Sequence, residues 1–579
     1  MERSERSPYW DKVWQRRLSR RTALRGGATA ALGAAGWALV GCSDDDDPTA
    51  TATAPAATAT SASGSPTASP TATSAAAAID TTGILQLRHS NITPTINPYK
   101  DITMGFQWGF YVFDHLFSTP IDTGAPELLL AESIELPDDL TVNFKLKESY
   151  FHDIAPVSGR RVLSTDIKHS YEQHILAPDL SCGTYWTQTF AGVDAPDDIT
   201  AIIRHNTPNA WTFSQDNLGS PQCSSVMPEE FAFDPDRMDT DLIGSGRFQF
   251  VSHQAGANFV VERFDNWRNP GRPYPAGIHW NLIQDQALAI AAFADKKVDV
   301  LELANARERD QLMDQLPSDL FSVEEVPSRQ LVSLYTRGDG QWSDPRVNQA
   351  ISMGLDRQEM VDLILFGAGQ PSGLVPPVFA DFQLSDAELN EQWLKFDPGA
   401  ARAMLEASGF DMEFEYDLNF HTLFPNNSLF AEVAKAQLEK NLGLKIRLVG
   451  EDINTWLSQR FQPSTYNGFL MQTLEVASPP TYMVFYQKEI GGRPNWASFI
   501  NDELDGLYVE QQQVIDLDER IELVKTMQTR GWELGAPFIP CYVGFDLTAR
   551  WNHLKDWVSE SRGHYANYDD GLWIDTSEA

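Results

Sequence analysis

Apolar and polar positions repeat along this chain with two different periods, and the switches between them mark out its elements. Thr141-Val-Asn-Phe-Lys-Leu-Lys147 alternates with period two, as a half-buried strand does. Ile84, Leu85 and Leu87 predict a buried strand, Gln330 to Thr336 a β-rich crossing strand, and Cys541 to Phe545 a returning one. Helical spacing appears between Ser343 and Gly367. Asp344 can cap a first helix, with Pro345 at the first helical position, where a missing N–H costs nothing. Val347, Ala350, Ile351 and Leu355 fall on one face of it. Asp356 caps a second helix, and Glu359 follows three residues later, a capping-box spacing. Met360, Leu363 and Ile364 form its apolar stripe, and Gly367 stops it. Ser164 to Ser170 opens another helix, and Glu432 to Leu442 leads into the strand Leu444 to Val449. Leu517 to Leu534 is an amphipathic helix. Helices and strands alternating in this way predict an α/β protein.

The first 78 residues break this pattern. Arg16-Arg17 and Ser19-Arg20-Arg21-Thr22-Ala23-Leu24-Arg25 precede an apolar run from Gly26 to Val40, too short for a comfortable membrane span. Ser-Arg-Arg-x-x-Leu resembles a twin-arginine export motif, with Ala23 where Phe is usual. Leu39-Val40-Gly41-Cys42 resembles the site at which a bacterial signal peptidase cuts before a lipid-modified cysteine. Residues 1–42 are thus expected to be a lipoprotein signal, with Cys42 as the lipidation site. Residues 43–78 hold Asp44 to Asp47 and then almost only Thr, Ala, Pro and Ser. Such a tract cannot offset its chain entropy by burial, so it reads as a disordered tether. The expected location is the cell surface or periplasm, lipid-anchored to a membrane.

With 579 residues, 42% of them hydrophobic and including 16 Trp and 31 Phe, the rest of the chain can bury large cores. A net charge of −36 excludes nucleic acid as a partner, since phosphate binding needs a basic surface. Four cysteines are too few for a disulfide scaffold. Cys182 and Cys223 are the candidate disulfide in an oxidising compartment, and Cys541 reads as a buried apolar residue. His152 invites a metal reading, but His169 and His174 share no helix face well and no His-Glu-x-x-His or Cys-x-x-Cys occurs, so no metal site and no cofactor are expected. Gly244-Ser-Gly-Arg-Phe248 tempts a phosphate reading, but Gly-x-Gly alone is weak and no Lys follows. The Gly-x-Ser-x-Gly elbow of a hydrolase is missing, and the chain does not read as an enzyme.

A series of motifs carries a resemblance. Asp344-x-Arg-Val-x-x-Ala350 followed by Asp356-Arg-x-x-Met-Val361 is similar to a signature of the extracellular solute-binding proteins, family 5. Asn97-Pro98, Pro126-Glu-Leu-Leu-Leu-Ala-Glu-Ser133, Phe151-His-Asp153, Asp166-Ile-Lys-His-Ser170, Gly244-Ser-Gly-Arg-Phe248, Lys297-Val-Asp-Val300 and Asp397-Pro to Gly409-Phe410 follow in the family's order. Phe-His-Asp departs from it, with Ile154 in place of Gly. The resemblance covers about 83–560 and implies a two-lobed periplasmic binding protein type II fold with an extra subdomain in lobe I. Lobe I would take 79–330, with the subdomain at about 115–235. Lobe II would take 331–540, 541–579 would return to lobe I, and the hinge would lie near 330–337 and 538–546. It implies the substrate-binding component of an ABC importer: a monomer that captures a peptide-like or other small organic solute between its lobes and hands it to membrane permease subunits. A surface sensor or scaffold on the same fold is the alternative. Segments that face the cleft in relatives make Trp108, Tyr111, Tyr185, Trp186, Tyr482 and Trp496 the aromatic ligand-binding candidates. Where peptide-binding relatives carry an acidic residue for the ligand's ammonium group, the stretch Thr473 to Pro480 offers Glu475, offset from the matching position, as the charged candidate.

Overall fold

The computed structural model describes residues 79–90, 96–97, 105–119, 126–176, 185–220, 223–232, 237–461, 464–475, 478–490, 493–557 and 571–577. The expected signal, Cys42, the 43–78 tether and Cys182 lie outside the described residues.

Two strands, Phe321–Tyr335 and Phe538–Trp551, run antiparallel through the molecule and organise the rest. Both are longer than the apolar stretches that announce them: the first starts nine residues earlier, through Phe321 to Arg329, and the second runs on past Phe545 through Asp546 to Trp551. Their far ends, Phe321 and Trp551, sit in a core with Phe293, whose ring stacks on that of Trp551 at 4.8 Å. Their near ends, Leu334 and Ile539, lie in a different core, with Ile351 and Phe469. Between these ends the register shifts: Pro327 faces Phe545, but Leu331 faces Val543. Ser328, Arg329 and Gln330 therefore leave the ladder together. The break lies at the amino-terminal edge of the expected hinge.

On one side the pair is flanked by Val300–Leu303, and on the other by Phe469–Glu475, Glu415–His421 and Lys445–Glu451. The amino-terminal half adds a sheet of Ile84–His89, Gly277–Leu282, Asn258–Arg263 and Phe248–Gln254, in that order. Its first pair is parallel and the others antiparallel. An antiparallel sheet of Ala131–Asp138, Thr141–Leu146, Thr200–His205 and Phe190–Asp197 lies within the span expected for the extra subdomain. Thr141–Leu146 buries Val142, Phe144 and Leu146 on one face, as its period-two pattern requires.

The helical pair forms as its caps dictate. Asp344 accepts a bond from Arg346 N at the start of Pro345–Met353, and Asp356 accepts from Glu359 N at the start of Arg357–Ile364. Glu359 does not close the box; its carboxylate accepts instead from Gln437 Nε2 at 2.7 Å. Arg357 is buried and donates to Pro540 O at 2.8 Å and Ser352 Oγ at 2.7 Å, tying the pair to the returning strand. Leu363 corrects the expected stripe, since it is exposed and Val361 is buried in its place. At about 100° per residue the buried arc runs from Met360 through Ile364 to Val361, which turns Leu363 to solvent.

Candidate functional site

The register break puts a charged residue where the two halves meet. Arg329 is 9% exposed. Its Nε donates to Glu475 Oε1 at 2.8 Å, and its Nη1 donates to Gln215 Oε1 at 3.2 Å. Tyr482 donates its hydroxyl proton to the Arg329 carbonyl. Glu475 ends the strand Phe469–Glu475 opposite Gln330, and its side chain is 45% exposed. Gln215 is buried, and its Nε2 donates to Thr119 O at 2.7 Å. One arginine thus joins the crossing strand, the carboxy-terminal half and the loop carrying Gln215.

The same loop docks across the seam at more points. Asp216 accepts from Ser478 Oγ at 2.7 Å and Thr481 Oγ1 at 3.2 Å. Trp211 Nε1 donates to Gln511 Oε1 at 2.7 Å, while the Arg520 guanidinium lies 4.5 Å from the Trp211 ring centre. From the other side, Glu302 on Val300–Leu303 contributes a second carboxylate. Its side chain is exposed, yet burial pushes its pKa up, the Arg88 charge opposes this, and the Glu475 charge adds to it. Arg88 Nη1 donates to Gln286 Oε1 at 2.7 Å behind it.

The aromatic candidates are spread over separate cores. Tyr111 packs edge-on against Trp280 at 5.1 Å and Phe248 at 5.8 Å. Tyr185 and Trp186 are buried together, with the Tyr185 hydroxyl 2.7 Å from His205 Nε2 and the Trp186 ring 4.2 Å from that of His174. Tyr482 is buried beside Phe379. Trp496 is half-buried on Phe461 and Phe485. Trp108 stands in the helix Gly105–Val112, and its side chain lies outside the described residues. Of the seven candidates, Glu475 and Tyr482 are brought to one point by the fold, through Arg329. Arg329, Gln215, Asp216 and Glu302 carried no motif.

His152 is an internal brace. Its Nδ1 accepts from Gly244 N at 3.4 Å and its Nε2 donates to Gly246 O at 3.0 Å, while burial pushes its pKa down to about 4 and keeps it neutral. Gly244 and Gly246 are fixed by close approach: an added Cβ would stand 2.0 Å from Val112 O and 2.5 Å from Tyr111 O. Cys223 is buried and disulfide-bonded, while Cys541 is free and burial pushes its thiol up to about 11. Among the described residues no group of three or more His, Cys, Asp or Glu could hold a metal ion. Among them, too, no helix is long and apolar enough to cross a membrane.

The sequence model of the bacterial extracellular solute-binding proteins, family 5 (middle), matches residues 125–490. A putative ABC transporter peptide-binding protein of Brucella ovis is 24% identical over 368 residues, 61% of this chain and 65% of its own length. The chain therefore spans just under two thirds of that relative. Among solved structures, the oligopeptide-binding protein AppA of Bacillus subtilis with a nonapeptide has a TM-score of 0.70 at 17% identity, covering 86% of this chain and 100% of AppA. The binding protein AgaA of A. tumefaciens with agropinic acid has a TM-score of 0.68 at 22% identity, covering 82% of this chain and 94% of its own. Both likenesses establish the two-lobed α/β periplasmic binding protein fold. The family match extends over well more than half of the sequence, and the chain belongs to the bacterial extracellular solute-binding proteins of family 5.

Proposed function

We propose that this chain is the substrate-binding component of an ABC importer. It captures a small, peptide-like organic solute between its two lobes and delivers it to permease subunits. The observation that carries the reading is the Arg329–Glu475 pair at the register break, which sets a guanidinium beside a half-exposed carboxylate where the two halves meet. A solute with both an ammonium and a carboxylate could exchange for the internal pair, so ligand contacts and lobe contacts would be in direct competition. The Brucella ovis and B. subtilis relatives, described as peptide-binding, support the peptide-like class. In this reading 79–330 forms lobe I, 331–540 lobe II, and 541–579 the return. Cys42 anchors a monomer to the membrane by lipid, after twin-arginine export, and 43–78 is the tether. Cys182 partners Cys223. Native mass spectrometry of protein purified from its own host tests the function: a bound solute with amino-acid constituents supports it, and a carried sugar oligomer or metal chelate would replace the peptide-like class.

A further inference from the structure

The sheet of the carboxy-terminal half splits at one edge. Glu415–His421 runs parallel to both of its neighbours, Lys445–Glu451 and Phe469–Glu475. It stays beside the first to its end, where His421 faces Glu451, and Thr422 N still donates to Glu451 O at 2.9 Å. It leaves the second after Asn419, which faces Leu470. Phe469–Glu475 instead follows the crossing strand to its own end, where Glu475 faces Gln330. A crevice therefore opens between the carboxyl ends of two neighbouring parallel strands. In open α/β sheets ligands enter at such a place, because the chains leaving the strands diverge and no ladder fills the gap. Glu475 ends one wall, so the crevice opens at the same seam as the Arg329 cluster.

The other wall is the turn Thr422-Leu423-Phe424, which leads into the helix Pro425–Gln437. Leu423 is 48% exposed and Phe424 46%. Apolar residues scattered singly over a surface need no explanation. These two are adjacent, and they stand at the carboxyl end of a strand beside the seam. Their base is fixed. The His421 carbonyl accepts from Asn427 Nδ2 at 3.1 Å. The buried His421 ring lies 5.9 Å from that of Phe424 and 5.3 Å from that of Trp456. Trp456 stacks on Phe461 at 5.0 Å, and Phe461 lies 4.0 Å from Trp496. The exposed pair thus rests on a row of packed rings, and covering it removes apolar surface from water without rebuilding what lies beneath. We propose that this crevice takes a bulky apolar side chain of the solute, with Leu423 and Phe424 as specificity-determining residues. The proposal rests on the importer reading above and narrows its substrate class. The solute carries a leucine- or phenylalanine-like group beside the ionic groups that exchange for the Arg329–Glu475 pair.

Calorimetric titration of the whole ligand-stripped protein with the tripeptides Ala-Ala-Ala, Phe-Ala-Ala, Ala-Phe-Ala and Ala-Ala-Phe tests the site. Wild type should bind at least one of the Phe peptides about tenfold or more tighter than Ala-Ala-Ala, the effect of taking one large apolar side chain out of water. The double change Leu423→Ser with Phe424→Ser should cut that ratio to about threefold or less and leave the affinity for Ala-Ala-Ala unchanged. Both side chains are exposed, so the change removes no core, and a serine just before Pro425–Gln437 is a favourable helix cap. Tripeptide binding without a preference for Phe, or a preference that survives the double change, overturns the crevice proposal and leaves the importer reading in place. Binding of no tripeptide removes the peptide-like class, and the proposal with it.

Discussion

Replacing Arg329 and Glu475, singly and together, measures what joins the two halves at the register break. Two unit charges about 4 Å apart attract by about 4 kcal/mol at an effective dielectric of 20. Arg329 is nearly enclosed, but the Glu475 side chain is 45% exposed. Hydration of that carboxylate cuts the net coupling to about 1 kcal/mol, the upper range of solvent-exposed pairs. Arg329→Met also removes the 3.2 Å bond to the buried Gln215 oxygen, worth about 1 kcal/mol more. The single change should therefore destabilise by about 2 kcal/mol, against about 1 kcal/mol for Glu475→Gln. Denaturant unfolding of the four proteins of the cycle, followed by tryptophan fluorescence, gives the coupling directly. It should shrink as salt rises from about 0.05 to about 0.5 M and the Debye length falls from about 14 to about 4 Å. A coupling indistinguishable from zero at low salt, with Glu475→Gln equally costly in both backgrounds, would refute the claim that the pair joins the halves.

Three further outcomes are expected. His152, His174 and His205 are each pushed by burial from an ordinary value near 6.5 to about 4. The unfolded chain therefore binds more protons below pH 6.5, and stability present above that value is lost as pH falls toward 4, by about 2 kcal/mol per histidine at pH 5. Thermal melts at pH 7 and pH 5 check this, and an unchanged midpoint would contradict it. Gly246→Ala drives a Cβ to 2.5 Å from Tyr111 O and should cost about 3 kcal/mol, whereas Gly109→Ala meets nothing within 4 Å among the described residues and should leave the melting temperature unchanged or raised. Cys42→Ser should move the protein from the membrane to the soluble fraction, and retention on washed membranes would remove the lipid anchor from the account.

Local chemistry made the helical pair legible. A capping carboxylate acts within three residues, so Asp344 and Asp356 mark their helices without knowledge of the fold. Ordered motifs carried the fold class, because they span the chain. The site was mostly hidden, since its partners meet only through pairing of distant segments: Arg329 reaches Glu475 across two antiparallel strands, and Gln215 arrives on a loop from the other half. Aromatic content could not tell a cleft wall from a core. Tyr111, Tyr185 and Trp186 carry the same letters as a stacking platform, yet their rings are enclosed by neighbouring aromatics. Leu363 shows the same limit on a smaller scale, because apolar character fixes which residues can be buried and packing decides which are.

The central claim is that a solute bound between the halves closes them about the break at Pro327–Leu331. Small-angle scattering of the ligand-stripped protein, repeated after adding back the solute identified by native mass spectrometry, addresses it most directly. The account predicts a smaller radius of gyration with the solute, and a weaker contraction in Glu475→Gln at the same solute concentration. Identical scattering with and without a solute that calorimetry shows to be bound would contradict it.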